Sequence, residues 1–355
     1  MKVIAINGEA WCHTLTGIER LAIEVVQHLD KLVQPGMMEL VLPANAVNVP
    51  DFVNIRTVRL KKEAHFFPRW TQVDFQLYVL AHRRISLDFS NTCPFFAPGI
   101  EFIHDIYCAL YPEDFTSKRD RLICLYSRIM YRAIAKRARI VLTVSEYTKQ
   151  SIVDRYHCPA DKIHVVYSGV TGYKDIQADY SVFDRLPALK DKAFYFTLGS
   201  LSRRKNLKWI AEHAALYPEE LFAVSGKALP SVVAPELEKM RTLPNVIMTG
   251  YLDDGEVKAL LSRCKAFVLP SYFEGFGLPP LEALSCGTQI IVSDRTSLPE
   301  IYGKAAHYID PDKPDVNLDK LLAEPVADPS PLLEKYDLSK TAERIYNLID
   351  RKLLH

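Results

Sequence analysis

Short runs of β-branched and aromatic residues alternate along the chain with longer segments whose apolar positions recur at helical spacing. The first half predicts strands at Lys2–Asn7, Leu40–Pro43, Ile55–Leu60, Ile85–Ser90, Glu101–Ile106, Arg139–Ser145 and Ile163–Gly169. The second half predicts Ala193–Ser200, Leu221–Gly226, Val246–Tyr251, Lys265–Ser271, Gln289–Asp294 and Ala306–Asp310. Several are apolar along most of their length rather than alternating, as a parallel strand must be when helices cover both of its faces. Helices fit between them at Gly17–Asp30, Ser117–Ala138, Tyr147–Tyr156, Leu207–Leu216, Asp254–Cys264 and Pro280–Cys286. This alternation predicts an α/β protein with doubly wound sheets. Thr171–Asp191, with Gly172 and Pro187, breaks the rhythm. Two domains follow, 1–175 and 190–338, each long enough for its own sheet. A closing helix over 339–355 is expected to join the first of them.

Composition narrows the class without naming it. Of 355 residues, 48% are apolar and 25% charged, the balance of a globular chain. Lys and Arg number 44 against 43 Asp and Glu, so no overall charge argues for nucleic acid. The seven cysteines are scattered with no C-x-x-C pair, which argues against a disulfide framework or structural zinc and fits a reducing compartment. No apolar run approaches the roughly 18–20 residues that span a bilayer, and Met1-Lys2 runs directly into VIAIN with no signal-type apolar stretch. The expectation is a cytoplasmic protein.

Open α/β sheets bind ligands beyond the carboxyl ends of their strands, and there the sequence is most specific. After Lys265–Ser271 comes YFEGFGLPPLEALSCG, residues 272–287. Gly275 and Gly277 permit a sharp turn and close backbone approach to a ligand. Pro279 and Pro280 suit a first helical turn, and Gly287 its far end. Backbone N–H groups led to a helix N-terminus attract anions. Glu274 and Glu282 would repel a bare phosphate but accept hydrogen bonds from vicinal hydroxyls, so a phosphate flanked by sugars meets both demands. After Ala193–Ser200, Arg204 and Lys205 add cations suited to a diphosphate. Alone, the glycine loop is equally consistent with an ordinary strand–helix turn, and a solvated turn is the commoner fate of an isolated basic pair; together they point to one ligand.

The run FEGFGLPPLEALSCGT, with its E-x7-E glutamates, resembles the signature of glycosyltransferase family 4 enzymes of the GT-B fold. TGIERLAIEV, FIHDIYCALYPEDF, VLTVSEYTKQSIVDRYHCPADKIHVVYSGV, LGSLSRRKNL, TGYLDDGEVKALLSRCKAFVLPS and SDRTSLPEIYGKAAHYIDP match in order, from about residue 3 to residue 312. The resemblance implies two Rossmann-like domains facing a central cleft, an N-terminal acceptor domain and a C-terminal donor domain. It implies that Glu282 holds the ribose hydroxyls and that Glu274 lies near the transferred sugar. Gly275, Phe276, Gly277 and Leu278 would face sugar and diphosphate, and Arg204 and Lys205 would bind the diphosphate. Tyr251 would line the base pocket, Gly17 would lie in the first N-terminal loop near donor and acceptor, and His104 would stand beside the reacting sugar. One departure is plain: many relatives carry Arg after the strand glycine, whereas Gly199 is followed by Ser200. The implied activity is retaining hexosyl or deoxyhexosyl transfer from a nucleotide-diphosphate sugar to a glycan or lipid-linked acceptor, in capsule, O-antigen or exopolysaccharide assembly. No cofactor or metal is expected, since side chains supply the cations, and no nucleic acid partner.

Two other functions fit parts of this pattern. A nicotinamide-dependent oxidoreductase would suit two such domains, but Asn7 leads into GEAWC and not G-x-G-x-x-G. A catalytically inactive nucleotide-sugar-binding scaffold is opposed by the joint presence of both glutamates, the glycine loop and the basic pair. Asp253-Asp254 opens a helix and reads as an N-cap. In Ser117–Ala138 and the residue after it, Arg121, Arg128, Arg132, Lys136 and Arg139 fall within about 80° on the wheel. That stripe suits contact with an anionic membrane or a solvated helix edge. Phe66-Phe67-Pro68-Arg69-Trp70 with His82-Arg83-Arg84 suits an interface loop or sugar subsite, and Trp11 and Tyr111 are candidates for stacking on an acceptor sugar.

Overall fold

A computed structural model describes residues 2–13, 16–65, 68–171, 173–226 and 237–354. Gly172, Phe66 and Phe67, singled out above, lie outside them. The chain divides into two compact units: Met1–Leu110, Ile123–Thr171 and Tyr336–His355 form one, and Tyr111–Leu122 with Gly172–Lys335 the other.

Unit 1 holds a seven-stranded parallel sheet, ordered β3-β2-β1-β4-β5-β6-β7. The strands are β1 Ile4–Asn7, β2 Met38–Leu42, β3 Arg56–Arg59, β4 Ile85–Asp88, β5 Ile100–Phe102, β6 Ile140–Thr143 and β7 Ile163–Val165. Both faces are covered. Trp70, Phe75 and Val79 pack over Ala5 and Val41, and Met130, Tyr131 and Ile134 gather with Ile103, Val141 and Ile163. This double cover is why β1, β2, β4, β5 and β6 are buried along their whole length, while the edge strand β3, RTVR, is exposed. The helix Leu338–Ile349 returns to this unit and lies along Gly17–Leu32.

Unit 2 holds a six-stranded parallel sheet, ordered β10-β9-β8-β11-β12-β13. Its strands are β8 Tyr195–Leu198, β9 Phe222–Ser225, β10 Val246–Gly250, β11 Ala266–Leu269, β12 Ile290–Ser293 and β13 His307–Ile309. Tyr195, Phe222, Val224, Val268 and Ile291 pack with Leu207, Trp209 and Ile210 of the helix Leu207–Leu216. The strand order runs outward in both directions from the β8–β11 pair, with Tyr195 opposite Ala266 and Phe196 opposite Phe267. That reversal is the topological switch point, where such sheets open a crevice at their carboxyl edge.

Candidate active site

The two most specific sequence segments meet at this switch point. Beyond β8 the chain reaches a 3₁₀ turn, Arg203–Lys205. Asn206, in the left-handed region at φ 54°, ends the turn, and its side-chain amide donates to the carbonyls of Pro270 at 3.0 Å and Pro311 at 2.8 Å. The basic turn is thereby tied to the ends of β11 and β13. Beyond β11, the Tyr272 N–H donates to the Arg204 carbonyl at 3.0 Å, joining the two loops through backbone.

The side chains follow. Lys205 Nζ donates to Glu274 Oε1 at 2.7 Å, and both residues are nearly closed to water, at 8% and 4% exposure. The Lys205 stem lies against Gly199, where a Cβ would stand 3.1 Å from Lys205 Cε. Burial pushes the Glu274 carboxyl up, but the charges of Lys205 and Arg204 and the Lys205 hydrogen bond outweigh it and hold the group below its ordinary range. Two cations and one carboxylate leave this trio a net +1. Glu274 is also fixed by its backbone: its N–H donates to Thr296 Oγ1 at 3.1 Å and its carbonyl accepts from Ser297 Oγ at 2.9 Å.

Gly277 caps the helix Leu278–Ser285 at φ +86°, and a Cβ there would meet Leu298 Cδ2 at 2.7 Å. The Tyr302 hydroxyl donates to the Gly277 carbonyl. Pro279 and Pro280 occupy the first helical turn and have no N–H to offer an anion. Phe273, Glu274, Gly275, Phe276 and Gly277 are all buried, which keeps the electrostatics of the bend strong. Glu282 is half-buried on the second turn of the same helix. Tyr251 is 67% exposed at the end of β10, on the same carboxyl edge but two strands out from β8.

Other residues group elsewhere. Tyr111 belongs to unit 2, where its ring lies 5.4 Å from Tyr272 and 5.6 Å from Phe273. Asp114 accepts from the Tyr272 hydroxyl and lies 3.9 Å from Arg203. His104 and Gly17 are in unit 1. His104 follows β5, is buried, and donates from Nε2 to the Phe89 carbonyl at 2.5 Å. Burial lowers its pKa. A neutral ring whose Nε2–H is engaged internally offers Nδ1 only as an acceptor. Gly17 opens the helix Gly17–Leu32. Trp11 is buried against Phe52 and presents no open face for sugar stacking. Asp253 caps its helix by accepting from the Glu256 N–H at 2.9 Å.

Sequence reasoning missed one cluster, at the β1–β4 switch point of unit 1. Asn7 donates to Asp88 at 2.7 Å and to Thr71 at 2.9 Å, and accepts from Trp70 Nε1 at 2.7 Å. Glu9, His13, Glu19 and Ser90 join Asn7 and Asp88 around a cavity of about 190 Å³. Burial pushes the Asp88 carboxyl up to about 6. The available signal was a polar residue closing each apolar strand, IAIN and ISLD.

Residues 181–335 match the family model described as glycosyl transferases group 1, and residues 16–171 the model described as glycosyltransferase family 4. The chain belongs to glycosyltransferase family 4. The chain is 28% identical over 346 residues to the O-antigen chain mannosyltransferase B of Escherichia coli, covering 89% of this chain and 88% of that one. It is 35% identical over 182 residues to the E. coli serotype-specific mannosyltransferase WbdA, a match to 47% of this chain but only 22% of WbdA. The chain thus spans about a fifth of that relative's length. HepE from Anabaena, solved with UDP and glucose, superposes with a TM-score of 0.62 at 16% identity, covering 99% of this chain and 95% of HepE. The two doubly wound units are those of the GT-B fold.

Proposed function

We propose that this glycosyltransferase moves a hexose, mannose in the first instance, from a nucleotide-diphosphate donor to a growing glycan or lipid-linked saccharide, with retention at the anomeric carbon. Its setting would be O-antigen-like polysaccharide assembly on the cytoplasmic side of the membrane. The observation that carries the reading is the buried Lys205–Glu274 pair, with Arg204 beside it, at the β8–β11 switch point. The named activities of the O-antigen relatives support mannose, and the UDP held by HepE supports a nucleotide-diphosphate donor.

In this reading the bond from the anomeric carbon to the diphosphate oxygen breaks as the bond to the acceptor oxygen forms. The acceptor proton leaves with the diphosphate. Arg204, Lys205 and the Gly275–Leu278 amides stabilise the charge growing on the leaving group. Glu274 keeps Lys205 extended and takes sugar hydroxyls, and Glu282 takes those of the ribose. Because side chains supply the cations, chelation with EDTA is expected to leave the rate unchanged. The deciding measurement is product NMR after incubation with nucleotide-diphosphate mannose donors and a mannosylated acceptor. An α-linked product from an α-configured donor fits. An inverted product, or no turnover with any nucleotide sugar, overturns the reading.

A further inference from the structure

Unit 1 carries an apolar face that its own packing leaves open. A π-helical turn, Trp70–Phe75, runs into the helix Gln76–Ala81. Together they turn Trp70, Phe75 and Val79 into the core and Val73, Leu77 and Leu80 outward, with Leu77 58% exposed. The helix Lys118–Arg137 likewise turns Met130, Tyr131 and Ile134 inward and leaves Leu125, 52% exposed, and Ile129 outside. The two helices meet along a polar seam. The Gln72 side-chain amide donates to the Tyr126 hydroxyl at 2.9 Å and to the Cys93 carbonyl at 2.7 Å. The Phe96 N–H donates to Gln76 Oε1 at 2.7 Å, and its ring stands 68% exposed. Six large apolar side chains therefore flank one seam: Val73, Leu77, Leu80, Phe96, Leu125 and Ile129.

Charge then selects the partner. Moving round the second helix from the seam residue Tyr126, Ile129 and Leu125 lie about 60° and 100° away, and Arg132 and Arg128 about 120° and 160° in the same direction. The apolar row thus lies between the seam and an arginine row. Just outside the first helical segment, exposed Arg69 precedes it and exposed Arg83 follows it, Arg69 lying 3.9 Å from Asp74. An apolar centre with a cationic rim matches an anionic bilayer surface, where aliphatic side chains enter the acyl boundary and guanidinium groups stay with the headgroup phosphates.

We infer that this face seats the enzyme on an anionic phospholipid membrane. The inference stands on the surface of unit 1 and is independent of the donor chemistry. The test is sedimentation of the full chain with vesicles of phosphatidylcholine alone or mixed with phosphatidylglycerol. The chain is expected to partition onto the phosphatidylglycerol vesicles and to be released by salt. The triple variant Leu77→Ser, Leu125→Ser, Ile129→Ser and the double variant Arg128→Glu, Arg132→Glu are each expected to weaken partition by about tenfold or more. Turnover of a nucleotide sugar with a water-soluble acceptor should be unchanged in both. Failure of the wild type to bind, or variants that bind as well as it does, overturns the proposal. So does a dimer in velocity sedimentation that the triple variant dissolves while vesicle binding persists.

Discussion

Lys205 and Glu274 hold each other in a setting where neither charge is comfortable alone. Removing one partner of a buried ion pair leaves the other uncompensated, at a cost of about 3–5 kcal/mol. Lys205→Met is therefore expected to destabilise the chain in that range by denaturant unfolding. The double variant Lys205→Met, Glu274→Leu should recover most of the loss, and both should lack donor turnover. A coupling energy under about 1 kcal/mol in the cycle would mean a loose, solvated pair. The pH dependence has a definite sign. The Glu274 carboxyl is held below its ordinary range, so its share of stability is present above the unfolded value near pH 4 and is lost as pH falls through the lower folded value. The difference in unfolding energy between wild type and double variant should stay level from about pH 7 to 5 and shrink only below about 4.

Loops carry the next level of organisation, and two substitutions probe them. Gly277→Ala puts a Cβ at φ +86° against Leu298. The left-handed backbone alone costs about 1–2 kcal/mol; the contact adds to it, and the helix start should shift. The expected result is a lower melting temperature with a larger fall in donor turnover than in stability. Asp114→Asn removes the acidic acceptor for Tyr272 and the charge facing Arg203. Tyr272 in turn holds the Arg204 carbonyl, so the donor KM should rise several-fold with kcat little changed; an unaltered KM would mean that Asp114 does not position the basic turn. Patterning reached this level unevenly. Most strands among the described residues were legible because they are buried on both faces and read as apolar runs, whereas the edge strand β3, RTVR, is exposed and was legible only by its alternation. The Trp70–Ala81 segment escaped because its polarity is inverted, with Gln72 and Gln76 aimed at the seam and Val73, Leu77 and Leu80 turned to water. The loops after β8 and β11 were legible as phosphate-type turns. The Lys205–Glu274 contact was not, because it joins residues 69 apart and depends on β8 and β11 being neighbours, which no local pattern encodes. Trp11, expected to stack on sugar, is instead core.

Across the whole molecule, each unit has its own sheet and core, so unfolding is better described by two transitions than one. The last twenty residues belong to unit 1. The Val170 N–H donates to the Tyr336 carbonyl at 3.0 Å, the Leu338 N–H donates to Thr171 Oγ1 at 3.0 Å, and Leu338, Ile345 and Ile349 are buried. Burial of each such side chain is worth about 1.5–3 kcal/mol. Truncation after Lys335 should therefore lower the unit 1 transition sharply in calorimetry and leave the unit 2 transition in place. A nucleoside diphosphate at about 100 times its Kd should add about 2.7 kcal/mol to whatever it binds. If the donor site is built from Arg204, Lys205, Glu274 and Glu282, all of which lie in unit 2, that gain should appear in the unit 2 transition of both the full and the truncated chain. It should be missing from the Lys205→Met variant. A ligand-induced shift confined to the unit 1 transition would move the nucleotide to the Asn7–Asp88 cavity and reverse the assignment of donor and acceptor sides.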